Sequence, residues 1–260
     1  MCGIAGLIHR GNTSKVGFEL QGMLQALKHR GEDSTGYALY GKTDGQNFIM
    51  RFKVGENVGE GSTSVVEDVS VYDERKKIVD GYLKDLGNAE AVCKRYSLDK
   101  VEGTHAIGHA RMATESGVDI KSAHPFWGYP FSDVSVVHNG QLTNYWNNRR
   151  VLENKGMRFM SECDSELIAV YLAEKMRNGA TLEEGMKESL MGLDGVFTYF
   201  VATKDSLGMA KDTMAAKPLV LYESDDLVAM GSEEIAIRSI LPQEIDTYDP
   251  FDGEVKVWQI

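Results

Sequence analysis

The chain opens Met1-Cys2-Gly3-Ile4-Ala5-Gly6-Leu7-Ile8. The six residues after Cys2 are all small or apolar, as in a strand covered on both faces. A frayed terminus is the ordinary expectation for a chain end, but frayed ends are rarely this apolar. Read as an anchored strand, the segment presents Cys2 at its edge. Removal of Met1 would leave Cys2 with a thiol and a free α-amine on one Cα. The amine titrates at about 7.7–8.0 when unperturbed, so it is a usable base near neutral pH. The thiolate is the nucleophilic form, and a base on the same residue removes the need for a separate histidine.

Outward from that strand, Leu20, Met23, Leu24 and Leu27 fall at i, i+3, i+4 and i+7, which predicts an amphipathic helix ending near Lys28-His29. A polar loop bounded by glycines, His29-Arg30-Gly31-Glu32-Asp33-Ser34-Thr35-Gly36, leads to a strand at Tyr37 to Tyr40, and another strand is expected over 47–54. Residues 55–99 read as charged and irregular, with a helix around 84–96 in which Cys93 serves packing. His105 to Arg111 reads as a buried strand closed by an arginine, a side chain that calls for a carboxylate partner when buried. A strand at Val134 to Val137 is expected to end at His138-Asn139-Gly140. Helices follow near 143–155, from Glu162-Cys163-Asp164-Ser165-Glu166 onward, and near 182–190. Acidic residues at a helix start suit its dipole, so Asp164 reads first as a cap. The last third reads as strands at 196–202, 207–211, 219–222, 227–230 and 254–260, interrupted by a short helix at 233–239. Strand-rich ends around clustered helices predict two sheets with helices packed outside, an α+β layered domain spanning 1–260.

Composition narrows the function. The 260 residues carry a net charge of −11, which argues against a nucleic-acid or anionic-membrane partner, since both call for a basic face. Three cysteines, Cys2, Cys93 and Cys163, are too few and scattered for a disulfide framework or a zinc site, so no metal is expected and a reducing cytoplasm is. The start lacks the charge and apolar length of a signal peptide, and no apolar run approaches membrane-spanning length.

Four segments, taken in order, resemble one family. They are Met1-Cys2-Gly3-Ile4; His29-Arg30-Gly31 with Asp33-Ser34 and Gly36; Gly108-His109-Ala110-Arg111 with Thr114; and His138-Asn139-Gly140 followed by Asp164. Together they resemble the class II, N-terminal-nucleophile glutamine amidotransferase domain. Lys211-Asp212, Lys217-Pro218-Leu219 and Gly231-Ser232-Glu233 look like its closing strands, so the resemblance covers essentially the whole chain.

The resemblance implies a four-layer αββα sandwich of the Ntn-hydrolase type and hydrolysis of the glutamine side-chain amide. By family role, Cys2 attacks the amide and its own α-amine carries the proton. Asn139 and the Gly140 N–H hold the oxyanion. Arg111 pairs the substrate carboxylate bidentately, Thr114 adds a hydrogen bond near it, Asp164 meets the ammonium, and Arg30 sits behind the nucleophile. His109, His124 and His138 are then structural, and Cys163 is a buried small residue. Retention of Met1 would block the amine. The chain ends at Ile260 without an acceptor domain, so the ammonia is expected to pass to a separate synthase subunit. Free-standing subunits of this kind resemble those of split glutamate synthases and N-methylglutamate synthase systems, where a partner holds flavin and iron–sulfur centres and this chain holds no cofactor. Two other readings are a γ-glutamyl amide hydrolase working without a partner and an idle regulatory or scaffolding subunit retaining Met1.

Overall fold

The computed structural model describes residues 2–41, 82–86, 88–112, 122–131 and 133–260. The strand expected over 47–54 and the Thr114 position lie outside them. Among the described residues there are eleven strands: β1 (Gly3–His9), β2 (Ser34–Tyr40), β3 (Tyr82–Leu86), β4 (His105–Arg111), β5 (Phe126–Trp127), β6 (Ser135–Leu142), β7 (Gly195–Ala202), β8 (Ser206–Lys211), β9 (Val220–Glu223), β10 (Leu227–Gly231) and β11 (Val255–Gln259). The α-helices are α1 (Val16–Ala26), α2 (Ala89–Tyr96), α3 (Tyr145–Asn154), α4 (Asp164–Arg177), α5 (Leu182–Gly192) and α6 (Glu234–Arg238).

The strands form two antiparallel sheets. One runs β3-β2-β4-β1-β10-β9 and the other β11-β8-β7-β6-β5. Strand β1 lies inside the first sheet, paired with β4 and β10, which is why its run is apolar on both faces. Period-two alternation sorts its side chains. Ala5 and Leu7 pack with Leu20, Met23, Leu24 and Leu27 of the α1 face, whereas Ile4 and Ile8 pack between the sheets with Val137 and Phe200. A third core buries Leu167, Leu172 and Met186 of α4 and α5 against Val136, Phe197 and Tyr199. Three cores between four layers make the αββα sandwich expected from the sequence.

Polar side chains cross the apolar layer between the sheets. His105 Nε2 donates to Thr203 O at 2.6 Å and His109 Nε2 to His138 O at 3.1 Å, both reaching from β4 to the second sheet. The Tyr40 hydroxyl lies 2.8 Å from the Asp133 carbonyl and 2.5 Å from Ser135 Oγ.

Two sequence expectations need correcting. The helix expected around 84–96 is a strand followed by a shorter helix: β3 occupies Tyr82–Leu86, and α2 starts at Ala89. Asn88 makes the break, its side chain accepting from Ala91 N at 3.0 Å as an N-cap. Strand β6 does not stop before His138-Asn139-Gly140 but continues through it to Leu142, paired with β7 as Asn139–Thr198 and Gly140–Phe197.

Candidate active site

Sheet register sets the nucleophile's neighbours. Gly3 pairs with Ala110, so the next step along the ladder brings Cys2 beside Arg111 at the end of β4. Cys2 Sγ lies 3.4 Å from Met112 N and 3.5 Å from Met112 O. The Cys2 carbonyl accepts from Arg30 Nε at 2.8 Å and from Asn139 Nδ2 at 3.2 Å. Arg30 arrives on a 3-10 turn, Lys28–Arg30, and is 7% exposed. Gly31 behind it is packed so closely that a Cβ would sit 2.3 Å from the Arg111 carbonyl carbon, so the loop carrying Arg30 lies flat on the peptide that touches Cys2.

The second sheet brings Asn139 and Gly140. Gly140 has φ +148°, and a Cβ there would fall 2.1 Å from Val196 O and 2.8 Å from His138 Nε2. Only glycine fits, because the neighbouring strand already occupies the space a side chain would need. Helix α4 brings Asp164. The helix N-cap is Cys163, with no side-chain capping bond, so Asp164 is not the cap that its position suggests. Its carboxylate instead reaches across to β6, where Oδ2 accepts from Leu142 N at 2.8 Å. Glu166 in the same turn does the local work, accepting from Met160 N at 2.8 Å, Ser161 N at 2.7 Å and Ser161 Oγ at 2.6 Å. The loop before α4 is thereby folded back, and Asp164 is held at the rim.

These groups share one cavity of about 480 Å³, lined by Cys2, Arg111, Asn139, Gly140, Asp164 and Lys217 among others. It therefore unites five of the site residues expected from sequence; Arg30 stands outside the lining, behind Cys2. Cations from Arg111 and Lys217 and the anion of Asp164 give the cavity opposite charges, a surface suited to a zwitterion.

His109, His138 and the second cysteine near the cavity are held uncharged. Burial pulls His109 down to about 3, and its ring stacks on His124 with centroids 3.8 Å apart. Burial also lowers His138, whose Nδ1 lies 2.7 Å from Ser165 Oγ. Burial, with the Asp164 charge next, pushes the Cys163 thiol up to about 11, so it stays protonated at neutral pH.

Sequence reasoning missed the Met112 peptide beside Sγ, the Lys217 cation and the Glu233 carboxylate, which lies 2.5 Å from Arg30 Nη1. Lys217 and Glu233 fall in segments that resemble closing strands, but nothing local in them points back to Cys2, more than 200 residues earlier.

Residues 109–239 match the profile of a glutamine amidotransferase domain. The chain is 34% identical to a protein of Methanothermobacter thermautotrophicus described as a provisional glutamine amidotransferase, each covered over 100% of its length. It is also 34% identical to the glutamine amidotransferase-like protein GlxB of Rhizobium meliloti, over 99% of this chain and 98% of that one. Among solved structures, the glutamine phosphoribosylpyrophosphate amidotransferase of B. subtilis superposes with a TM-score of 0.73 at 22% identity, covering 99% of this chain and 47% of the other. That likeness is one of fold.

Proposed function

The chain belongs to the class II glutamine amidotransferases, and from that we propose that it hydrolyses glutamine through a Cys2 thioester and passes the ammonia to a separate synthase subunit. The observation carrying the reading is the convergence of Cys2, Arg111, Asn139, Gly140 and Asp164, from four separate segments, on one cavity.

Arg111 receives the substrate α-carboxylate through its planar fork, and Asp164 receives the α-ammonium. This pairing leaves the side-chain amide extending toward Cys2. With Met1 removed, the Cys2 α-amine takes the thiol proton and Sγ attacks the amide carbon. Charge develops on the amide oxygen. The Asn139 amide carries two N–H groups, one already donated to Cys2 O, so the second is free to meet that oxygen beside the Gly140 N–H. Collapse breaks the C–N bond, the amine returns its proton to the leaving nitrogen, and ammonia departs. Water then opens the thioester by the same route, giving glutamate and the free thiol. Thr114, by resemblance, adds a hydrogen bond at the carboxylate.

The acceptor reading is supported by the relatives' sizes. Two relatives match end to end, whereas the chain spans about half of the phosphoribosylpyrophosphate enzyme. A partner of the glutamate synthase kind would hold any flavin or iron–sulfur centre, since the steps above use only this chain's own groups and water. Among the described residues, no helix is long and apolar enough to cross a membrane.

Intact mass and ammonia release from glutamine, measured on one native sample, test the proposal. The expected result is a mass lacking Met1, with hydrolysis abolished in Cys2→Ala and the fold retained. A retained Met1, with no ammonia released even beside candidate synthase subunits, would overturn it.

A further inference from the structure

The turn after β10 makes contacts that the reaction above does not use. Strand β10 pairs with β1 as far as Ala5–Gly231. Beyond that pair, Ser232 continues the grip: its N–H donates to Ile4 O at 3.0 Å, and its hydroxyl accepts from Ile4 N at 3.0 Å. Ser232 is fully buried, so the hydroxyl satisfies an amide that would otherwise be orphaned where the strand turns toward α6. One residue on, the Glu233 carboxylate accepts from Arg30 Nη1 at 2.5 Å and lies 3.0 Å from His29 Nε2. The opposite edge of the same guanidinium donates to Cys2 O. Ser232 and Glu233 therefore hold Ile4 and Cys2, successive same-face positions on the strand that ends at the nucleophile.

A guanidinium is planar and rigid, so fixing one edge aims the other. A buried arginine also needs a counter-charge, and Glu233 supplies it. Burial alone would raise the Glu233 carboxyl, but the hydrogen bonds from Arg30 and His29 outweigh it and hold the group below its ordinary value. Neither Arg30 nor Glu233 is part of the cavity lining, so the pair reaches substrate only through Cys2.

We infer that Glu233 is a positioning residue for the nucleophile, acting through Arg30 on the Cys2 carbonyl, with Ser232 fixing the strand two residues further in, at Ile4. The inference rests on Cys2 being the nucleophile. Attack needs sulfur and carbon about 3–3.5 Å apart, and a misplacement of about 1 Å costs on the order of 100-fold.

The experiment follows labelling of the full chain by a chloroketone analogue of glutamine, in which the Cys2 thiolate displaces chloride to form a thioether. Intact mass gives the maximal labelling rate and the half-saturating concentration separately, without an acceptor subunit. In Cys2→Ala no label should form; label there would remove the nucleophile reading itself. Given a silent Cys2→Ala, Glu233→Gln should lower the maximal rate about 10- to 100-fold while leaving half-saturation unchanged. Arg30→Lys, which keeps the charge but cannot donate from two edges, should lose a similar amount, and the double variant no more than the worse single one. An unchanged rate in Glu233→Gln, a loss confined to half-saturation, or additive losses would overturn the inference. Should Glu233→Gln fail to fold, an unchanged rate in Arg30→Lys overturns it and a loss at constant half-saturation upholds it.

Discussion

A glycine can be required by the substrate or by the protein, and at Gly140 the protein decides first. By the family resemblance Gly140 serves the substrate, its N–H holding the oxyanion. The structure adds a positive φ and a neighbouring carbonyl 2.1 Å from where a Cβ would sit. Gly140→Ala should therefore destabilise the fold itself, by about 2 kcal/mol or more from backbone strain and clash. Urea unfolding should show a lower midpoint, and a wild-type midpoint with only activity lost would contradict this account. The difference marks what a sequence reveals of single residues. Cys2, Arg111, Asn139 and Asp164 were legible because their types and order match a known pattern. The space around Gly140 and the carboxylate behind Arg30 depend on strands and turns distant in the chain, which no local motif reports.

At the scale of elements, α5 shows what local sequence does specify. Thr181 accepts from Glu184 N at 3.2 Å, and the Glu184 carboxylate accepts from Thr181 N at 2.8 Å, a reciprocal capping box. Thr181→Ala should cost about 1 kcal/mol, read as a shifted urea midpoint with glutamine hydrolysis unaltered; an unchanged midpoint would mean that the box adds nothing. The helix expected near 182–190 does start at Leu182, and the capping box is what fixes that start. The starts of β3 and α2 were not legible, because Tyr82–Leu86 carries no strand-like alternation and only Gly87-Asn88 separates it from the helical run. The end of β6 was misread because a His-Asn-Gly triplet resembles a turn. Pairing with β7 over eight positions overrides that local preference.

Over the whole molecule, the layering followed from strand-rich ends around clustered helices and its four-layer form from the family resemblance, but the polar ties between the sheets followed from neither. His105 and His109 each cross to the second sheet as neutral donors, and burial takes them to about 4 and about 3. Both folded values lie below the ordinary value of about 6.5, so between them the unfolded chain binds protons that the folded chain refuses. Stability is thus complete above about pH 7 and falls as the pH drops toward 4, by on the order of 1–2 kcal/mol per histidine at pH 5. The urea midpoint should be clearly lower at pH 5 than at pH 7.5, a window above the range where the lowered carboxyls titrate; equal midpoints would refute the assignment. The interior place of β1 has a consequence in time as well. Its partners are β4, about 100 residues downstream, and β10, about 220 residues downstream. At a synthesis rate of about 5–20 residues per second, the ribosome needs roughly 10–40 s after making β1 to supply β10. Through that interval Cys2 has no Glu233 turn to hold it, so the nucleophile's setting is completed only when nearly the whole chain has been made.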